Sequence, residues 1–174
     1  MKIKYFLNLL LVLVCQISFS QDYYLHCGTI IDTKSGKELK NKTIIISKNK
    51  IAKIEEGFVT KAKEADIEIN LKNKYLLPGL IDLHVHIEGD YDSHSYISKY
   101  VDNEADVAFQ AVRAAETTLL CGFTTVRDLG GTGVNISIRN AINKGVVKGP
   151  RIYTAGKSIA TTGGHADPTN GSNR

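Results

Sequence analysis

The sequence predicts an α/β protein in which a small antiparallel β-domain precedes parallel βαβ units. Short strand patterns separated by polar turns fill residues 21–77, and strand and helix patterns alternate through residues 78–174. Hydrophobic residues make up 43% of the chain and charged residues 23%, which is ordinary for a folded protein and excludes wholesale disorder. The chain therefore has two parts of different character.

Residues 1–20 have the features of a cleaved export signal. Two lysines open the chain, residues 5–17 are largely apolar, and Ser18 and Ser20 are small residues at positions −3 and −1 before Gln21. The apolar run is short for a membrane anchor, and lipidation of its cysteine is a second alternative. We expect a periplasmic or extracellular protein with no stable membrane span after cleavage.

Charge and cysteine content exclude some further classes. Lys and Arg number 22 against 18 Asp and Glu, and two of the lysines lie in the leader. No basic stripe with interleaved aromatic residues is present, so nucleic acid is not an expected partner. Cys27 and Cys121 remain after cleavage, and a single distant pair is more typical of two buried thiols than of a disulfide framework.

The strand patterns of residues 21–77 predict a small antiparallel sheet, the N-terminal part of a β-sandwich-like domain. Residues 23–31 are rich in aromatic and β-branched side chains and precede a polar turn. Further strands are expected at residues 43–47 and around residues 51–54. Apolar and polar residues alternate over residues 66–71, the pattern of a strand with one buried face.

A different pattern starts at Pro78. A mostly apolar run of the kind found in strands buried on both faces precedes a helix that Asn103 caps and Gly122 ends. The predicted elements are a strand at 80–86, a helix at 103–120, a strand at 123–126, a helix at 136–143 and a strand at 151–155. Their order indicates parallel βαβ units.

The end of the first of these strands carries two histidines. His84 and His86 share a face with Asp82, whereas the alternate positions are apolar and should pack under covering helices. Two imidazoles about 7 Å apart along a strand can reach one metal ion. Asp82 could orient a ligand histidine or reach an ion itself. The alternative is a structural histidine pair without a metal.

These residues resemble the first barrel strand of the amidohydrolase superfamily, which has the pattern Gly-x-x-Asp-x-His-x-His, matched here by Gly79, Asp82, His84 and His86. The chain is most similar to the imidazolonepropionase-like and Xaa-Pro or Xaa-Arg dipeptidase-like branch. Further similar segments are residues 122–128, 150–152 and 162–165. The resemblance implies a (β/α)8 TIM-like barrel, whose first three β/α units are residues 78–174, after a urease-like antiparallel β-domain at 21–77.

The resemblance also implies a chemistry. Members are metal-dependent hydrolases that cleave carbon–nitrogen bonds of amides, dipeptides or cyclic amides with a metal-activated hydroxide. The site of the family holds one or two divalent ions, usually Zn²⁺. His84 and His86 would bind one of them, with Asp82 beside the pair. The implied substrate is a small molecule or a dipeptide.

Three other residues are candidates for the pocket. His165 follows two glycines and could donate a hydrogen bond to a substrate carbonyl oxygen or carboxylate, or be a plain loop residue. Arg127 and Asp128 could line the pocket or form a structural ion pair. None of these is assigned a catalytic role.

The chain departs from the family in length. A complete barrel needs about 250 residues, whereas here it would begin near residue 80 of 174. In the family a bridging lysine, two later histidines and the catalytic aspartate follow from the fourth strand onward. We therefore expect the N-terminal portion of a longer enzyme, inactive and poorly soluble by itself. The alternative is a short non-catalytic chain that binds metal or depends on a partner.

Overall fold

The computed structural model of the chain describes residues 21–89, 97–98, 101–164 and 166–167. Contacts divide the chain into two compact units, Met1–Pro78 and Gly79–Arg174. The export signal expected at residues 1–20 lies outside the described residues. Across the described part of the chain, no helix combines the length and the apolar character needed to cross a membrane.

The first unit contains a four-stranded sheet in the order β3-β2-β1-β4. β1 pairs antiparallel with β2, and β2 pairs antiparallel with β3, whereas β4 runs parallel to β1. The strands are β1 Tyr23–Asp32, β2 Lys37–Ser47, β3 Lys50–Glu56 and β4 Ile67–Leu76.

The prediction of an antiparallel sheet is therefore wrong for β4. Residues 57–66 cross from β3 to the other edge of the sheet, and such a crossover is what a parallel pair requires. The amide of Ile67 donates to the carbonyl of Asp22 at 2.9 Å, which starts β4 beside the first residues of β1. The buried Asp66 carboxylate fixes this junction by accepting from the amides of Asp22 at 3.2 Å and Lys63 at 3.0 Å.

The core of this unit forms around β1 and β2, where Cys27, Ile30 and Ile44 are buried. Burial raises the pKa of the Cys27 thiol. Cys27 is free and buried as predicted, but Cys121 is free and exposed, because it is the C-cap residue of a helix in the second unit. At Gly28 a Cβ would collide with the backbone carbonyl of Lys72, so the close approach of β1 and β4 requires glycine.

The second unit confirms the alternation of strands and helices predicted from residue 78 onward. Three parallel strands form a sheet in the order β5-β6-β7. The elements are β5 Leu80–Val85, α1 Glu104–Leu120, β6 Phe123–Asp128, α2 Val134–Asn143 and β7 Arg151–Thr154.

Helix α1 begins and ends where the sequence predicts. The side chain of Asn103 accepts from the amides of Ala105 at 2.8 Å and Asp106 at 3.3 Å, and the Asp106 carboxylate accepts from the Asn103 amide at 3.0 Å. This reciprocal arrangement is a capping box. Gly122 follows the helix with a φ of 96°, a left-handed conformation that favours glycine.

The core of the second unit lies between the sheet and helices α1 and α2. Val126 and Ile152 point at the helices from β6 and β7, and the cluster also contains Ile87, Ala111, Ala115 and Ile138. The expectation that β5 is buried on both faces is wrong within the described part. Ile81 and Leu83 are 61% and 60% exposed, because the helices pack over β6 and β7, and β5 has a neighbour on one side only.

Candidate metal centre

The two histidines of the predicted motif lie together at the carboxyl end of β5. His84 is the second-last residue of that strand and His86 follows its end. Their ring centroids are 5.6 Å apart, and the ring planes are inclined by 71°. The β5–β6 register shifts before Ile81 and again between Asp82 and Val85, so the strand does not alternate regularly, but the two rings still meet.

A hydrogen bond to the loop after β6 orients the ring of His86. Its Nδ1 lies 2.8 Å from the carbonyl oxygen of Gly130, in the loop after β6. A carbonyl oxygen only accepts, so Nδ1 carries the proton and donates it. Nε2 is then the nitrogen that can present a lone pair, as in a histidine that ligates a metal while donating through its other nitrogen.

Asp82 contacts the backbone of the motif. Its Oδ1 accepts from the amide of His84 at 2.9 Å. The carboxylate thus fixes the chain that carries His84, whereas the sequence suggested a contact with a histidine ring or an ion. That suggestion stays a prediction.

Asp128, at the end of β6, is 1% exposed and hydrogen-bonded to loop backbone. Its Oδ1 accepts from the amide of Gly130 at 2.7 Å, and its Oδ2 accepts from the amide of Ile87 at 3.3 Å. Arg127 points the other way, is exposed, and donates from Nε to the carbonyl of Leu83 at 2.7 Å. The suggested ion pair between Arg127 and Asp128 is not formed, because neighbouring strand residues face opposite sides.

Arg127 and Asp128 also border an open cleft of about 640 Å³ beside β7. Arg139, Arg151 and Tyr153 line the same cleft, but neither His84 nor His86 does. The contribution of Arg127 and Asp128 to a substrate pocket therefore stays a prediction.

Glu88 is a residue of this region that the sequence reasoning did not single out. Its carboxylate accepts from the amides of Thr132 at 2.6 Å, Gly133 at 3.3 Å and Asn135 at 2.5 Å. These groups form the start of α2, whose N-cap residue Gly133 offers no side-chain acceptor. The partners are more than forty residues away from Glu88 in sequence. The one local signal was that Gly133, the N-cap residue of α2, has no side chain that could accept hydrogen bonds from the free amides at the start of that helix.

His84 and His86 are the two candidate ligands of the predicted metal site that the structure brings together. No group of three or more potential ligand side chains occurs among the described residues. His165, the candidate for a substrate contact, lies outside the residues that the structure describes.

Comparison with known proteins identifies the family of this chain. Residues 75–174 match the amidohydrolase family. The chain belongs to this family. The resemblance first seen in the Gly-x-x-Asp-x-His-x-His segment is thereby confirmed. Members of the family generally use divalent metals, and the parallel βαβ units are compatible with the start of the family's barrel.

Individual amidohydrolases are similar over most of the chain. Ochratoxinase from Aspergillus niger is 32% identical over 134 residues, which are 76% of this chain and 28% of ochratoxinase. A Xaa-Pro dipeptidase, solved with methionine in its active site, is 43% identical with a TM-score of 0.76, covering 88% of this chain and 37% of the dipeptidase.

A third relative is a prolidase solved in complex with N-methylphosphonate-L-proline. It is 28% identical with a TM-score of 0.68, and the match covers 84% of this chain and 35% of the prolidase. The chain thus spans about 28% of the length of the curated relative and little more than a third of these two solved chains.

Proposed function

We propose that this chain forms the metal-binding N-terminal portion of an exported hydrolase that cleaves the carbon–nitrogen bond of dipeptides. The observation that carries the proposal is the histidine pair at the end of β5. The rings of His84 and His86 are 5.6 Å apart, and the hydrogen bond from His86 Nδ1 to Gly130 leaves Nε2 for a cation.

His84 and His86 are the residues that would hold a divalent ion. Imidazole ligands suit Zn²⁺ well, and they bind in the neutral form. A bound ion would lower the pKa of a coordinated water to near neutrality and polarise a substrate carbonyl. The protein's part is to hold both rings in place. The Gly130 carbonyl orients the His86 ring, and Asp82 fixes the backbone of His84.

Dipeptides with proline at the second position are the substrate class that we favour. The relatives with solved structures include a Xaa-Pro dipeptidase and a prolidase, and the first of these is 43% identical to this chain. In a barrel enzyme, specificity comes from loops that follow several strands. Most of those loops would lie in the remainder of a longer protein.

Three further features are part of the proposal. Residues 1–20 direct export and are removed before Gln21. The four-stranded sheet of the first unit is part of a urease-like β-domain. The chain's small share of each relative's length supports a longer polypeptide that completes both the metal site and the barrel.

The test uses the complete polypeptide encoded by the gene, including any in-frame continuation beyond Arg174. The purified protein is stripped with a chelator, restored with Zn²⁺, and assayed against matched Xaa-Pro and Pro-Xaa dipeptides. We expect hydrolysis of the Xaa-Pro set that disappears on stripping and returns with metal. Equal activity with and without metal would contradict the proposal, and an authentic stop after Arg174 with no hydrolysis would favour a non-catalytic metal-binding chain.

A further inference from the structure

The peptide group between Gly130 and Gly131 connects two loops through hydrogen bonds at both of its ends. Its carbonyl accepts from His86 Nδ1 at 2.8 Å, and its N–H, on Gly131, donates to the carbonyl of Gly156 at 2.8 Å. Hydrogen bonds at the two ends of one amide polarise it and strengthen each other. The position of the His86 ring therefore depends on the loop after β7 as well as on its own strand.

The carboxylate of Asp128 also fixes the backbone around His86 and Gly130. It accepts from the amide of Gly130, whose carbonyl binds the ring of His86, and from the amide of Ile87, which follows His86 in the chain. One buried side chain thus fixes both the backbone next to His86 and the acceptor of its ring proton. Gly130 has a φ of 123°, and a Cβ there would lie 2.6 Å from the amide nitrogen of Ser158, so the close approach of the two loops requires glycine at this position.

Asn135, on α2, completes the network. Its side chain is fully buried, and its Nδ2 donates to the carbonyl of Gly156 at 2.7 Å and points at Asp128 Oδ1 at 3.5 Å. Both neighbours are acceptors, so the orientation of the carboxamide is fixed. Its Oδ1 has no partner among the described side chains and backbone groups. Burying an oxygen without a partner costs stability.

We propose that Asp128 is a positioning residue that, together with Asn135, sets the tautomer of His86. Both side chains help to hold the Gly130 carbonyl where it accepts a hydrogen bond from Nδ1–H, which leaves Nε2 as the unprotonated nitrogen. The functional consequence rests on the proposed metal role of His86, but the tautomer itself does not.

The experiment reads the tautomer directly in metal-free protein labelled with ¹⁵N at the histidine rings. Long-range ¹⁵N–¹H correlation distinguishes protonated from unprotonated ring nitrogens, and a His86→Ala sample assigns the signal. In the unsubstituted protein we expect His86 protonated at Nδ1. His26, in the other unit, supplies an internal reference whose ring has other partners, since its Nε2 lies 2.9 Å from the carbonyl of Val59 and its Nδ1 lies 3.2 Å from a carboxylate oxygen of Glu68.

The key variant is Asp128→Asn, which keeps the shape but replaces one acceptor oxygen by a donor group. We expect the His86 signal to move to a mixture of tautomers while that of His26 stays unchanged. The matched control is Asp66→Asn, which alters another buried carboxylate that accepts two backbone amides, in the other unit. It should leave His86 unchanged even if it destabilises the fold.

Asn135→Ala perturbs the same peptide through Gly156 and provides a second variant if Asp128→Asn does not fold. If both variants retain the Nδ1-protonated tautomer, the inference is overturned. Where the complete protein binds Zn²⁺, chelator competition should show affinity about 10- to 100-fold weaker in Asp128→Asn, the usual effect of losing a residue that orients a ligand. A tautomer change in a protein that binds no metal would support the positioning role while contradicting the proposed function.

Discussion

Replacing Glu88 with glutamine tests how the loop that follows the histidine pair is tied to helix α2. In the folded protein the Glu88 carboxylate accepts from the amides of Thr132, Gly133 and Asn135, using both of its oxygens. Gly133 provides no cap of its own. Glutamine keeps one acceptor oxygen, loses the charge, and places an NH₂ group against amide donors.

The expected cost follows from these contacts. Losing a side-chain cap costs about 1 kcal/mol, and removing a negative charge from a helix N-terminus costs about 0.3–1 kcal/mol. Hydrogen bonds to charged groups are stronger than neutral ones, but Glu88 is only half-buried, so water compensates part of the loss. We expect Glu88→Gln to lower the free energy of unfolding by about 1–2 kcal/mol.

The assay is urea denaturation followed by circular dichroism, with the midpoint and slope compared between variants. The matched control is Glu104→Gln, which removes the same charge from the exposed first turn of α1. That change should cost no more than about 0.3–1 kcal/mol, because Asn103 continues to cap α1. Equal losses for the two variants would refute the assignment of Glu88 as the cap of α2.

Three further predictions concern other contacts. Asn103→Ala removes the capping box of α1 and should cost about 1 kcal/mol in urea denaturation; an unchanged midpoint would contradict the cap. Iodoacetamide with peptide mapping should modify the exposed Cys121 rapidly and Cys27 only after unfolding, because burial raises the Cys27 pKa; equal rates would count against this. The Ser35 hydroxyl lowers the pKa of Asp32 in the folded protein. This hydrogen bond therefore stabilises the fold above the pKa that Asp32 has in the unfolded chain, and the stabilisation is lost as the pH falls through the pKa of Asp32 in the folded protein. Ser35→Ala should raise that pKa in an NMR titration, and no change would show that Ser35 is not the cause.

The parts of the fold that the sequence predicted well depend on local signals. The capping of α1 by Asn103 and its end at Gly122 are set by residues within one helical turn. The pairing of His84 with His86 follows from the two-residue repeat of a strand, and it survives even though the register of β5 is irregular.

The parts that the sequence did not predict depend on distant partners. The parallel direction of β4 is decided by where residues 57–66 cross the sheet, and local alternation gives no information on this. The Glu88 cap and the contacts of Asp128 join segments about forty residues apart. The exposure of Ile81 and Leu83 depends on which neighbouring elements cover β5, so an apolar strand pattern alone does not determine it.

The most direct test of the metal site is the metal content of single-histidine variants of the complete protein. Elemental analysis after dialysis gives metal equivalents for His84→Ala, for His86→Ala, and for the control His26→Gln, whose ring lies in the other unit. We predict the loss of one equivalent in each of the first two variants and none in the control. Full metal content in either His84→Ala or His86→Ala would contradict a shared cation at the end of β5.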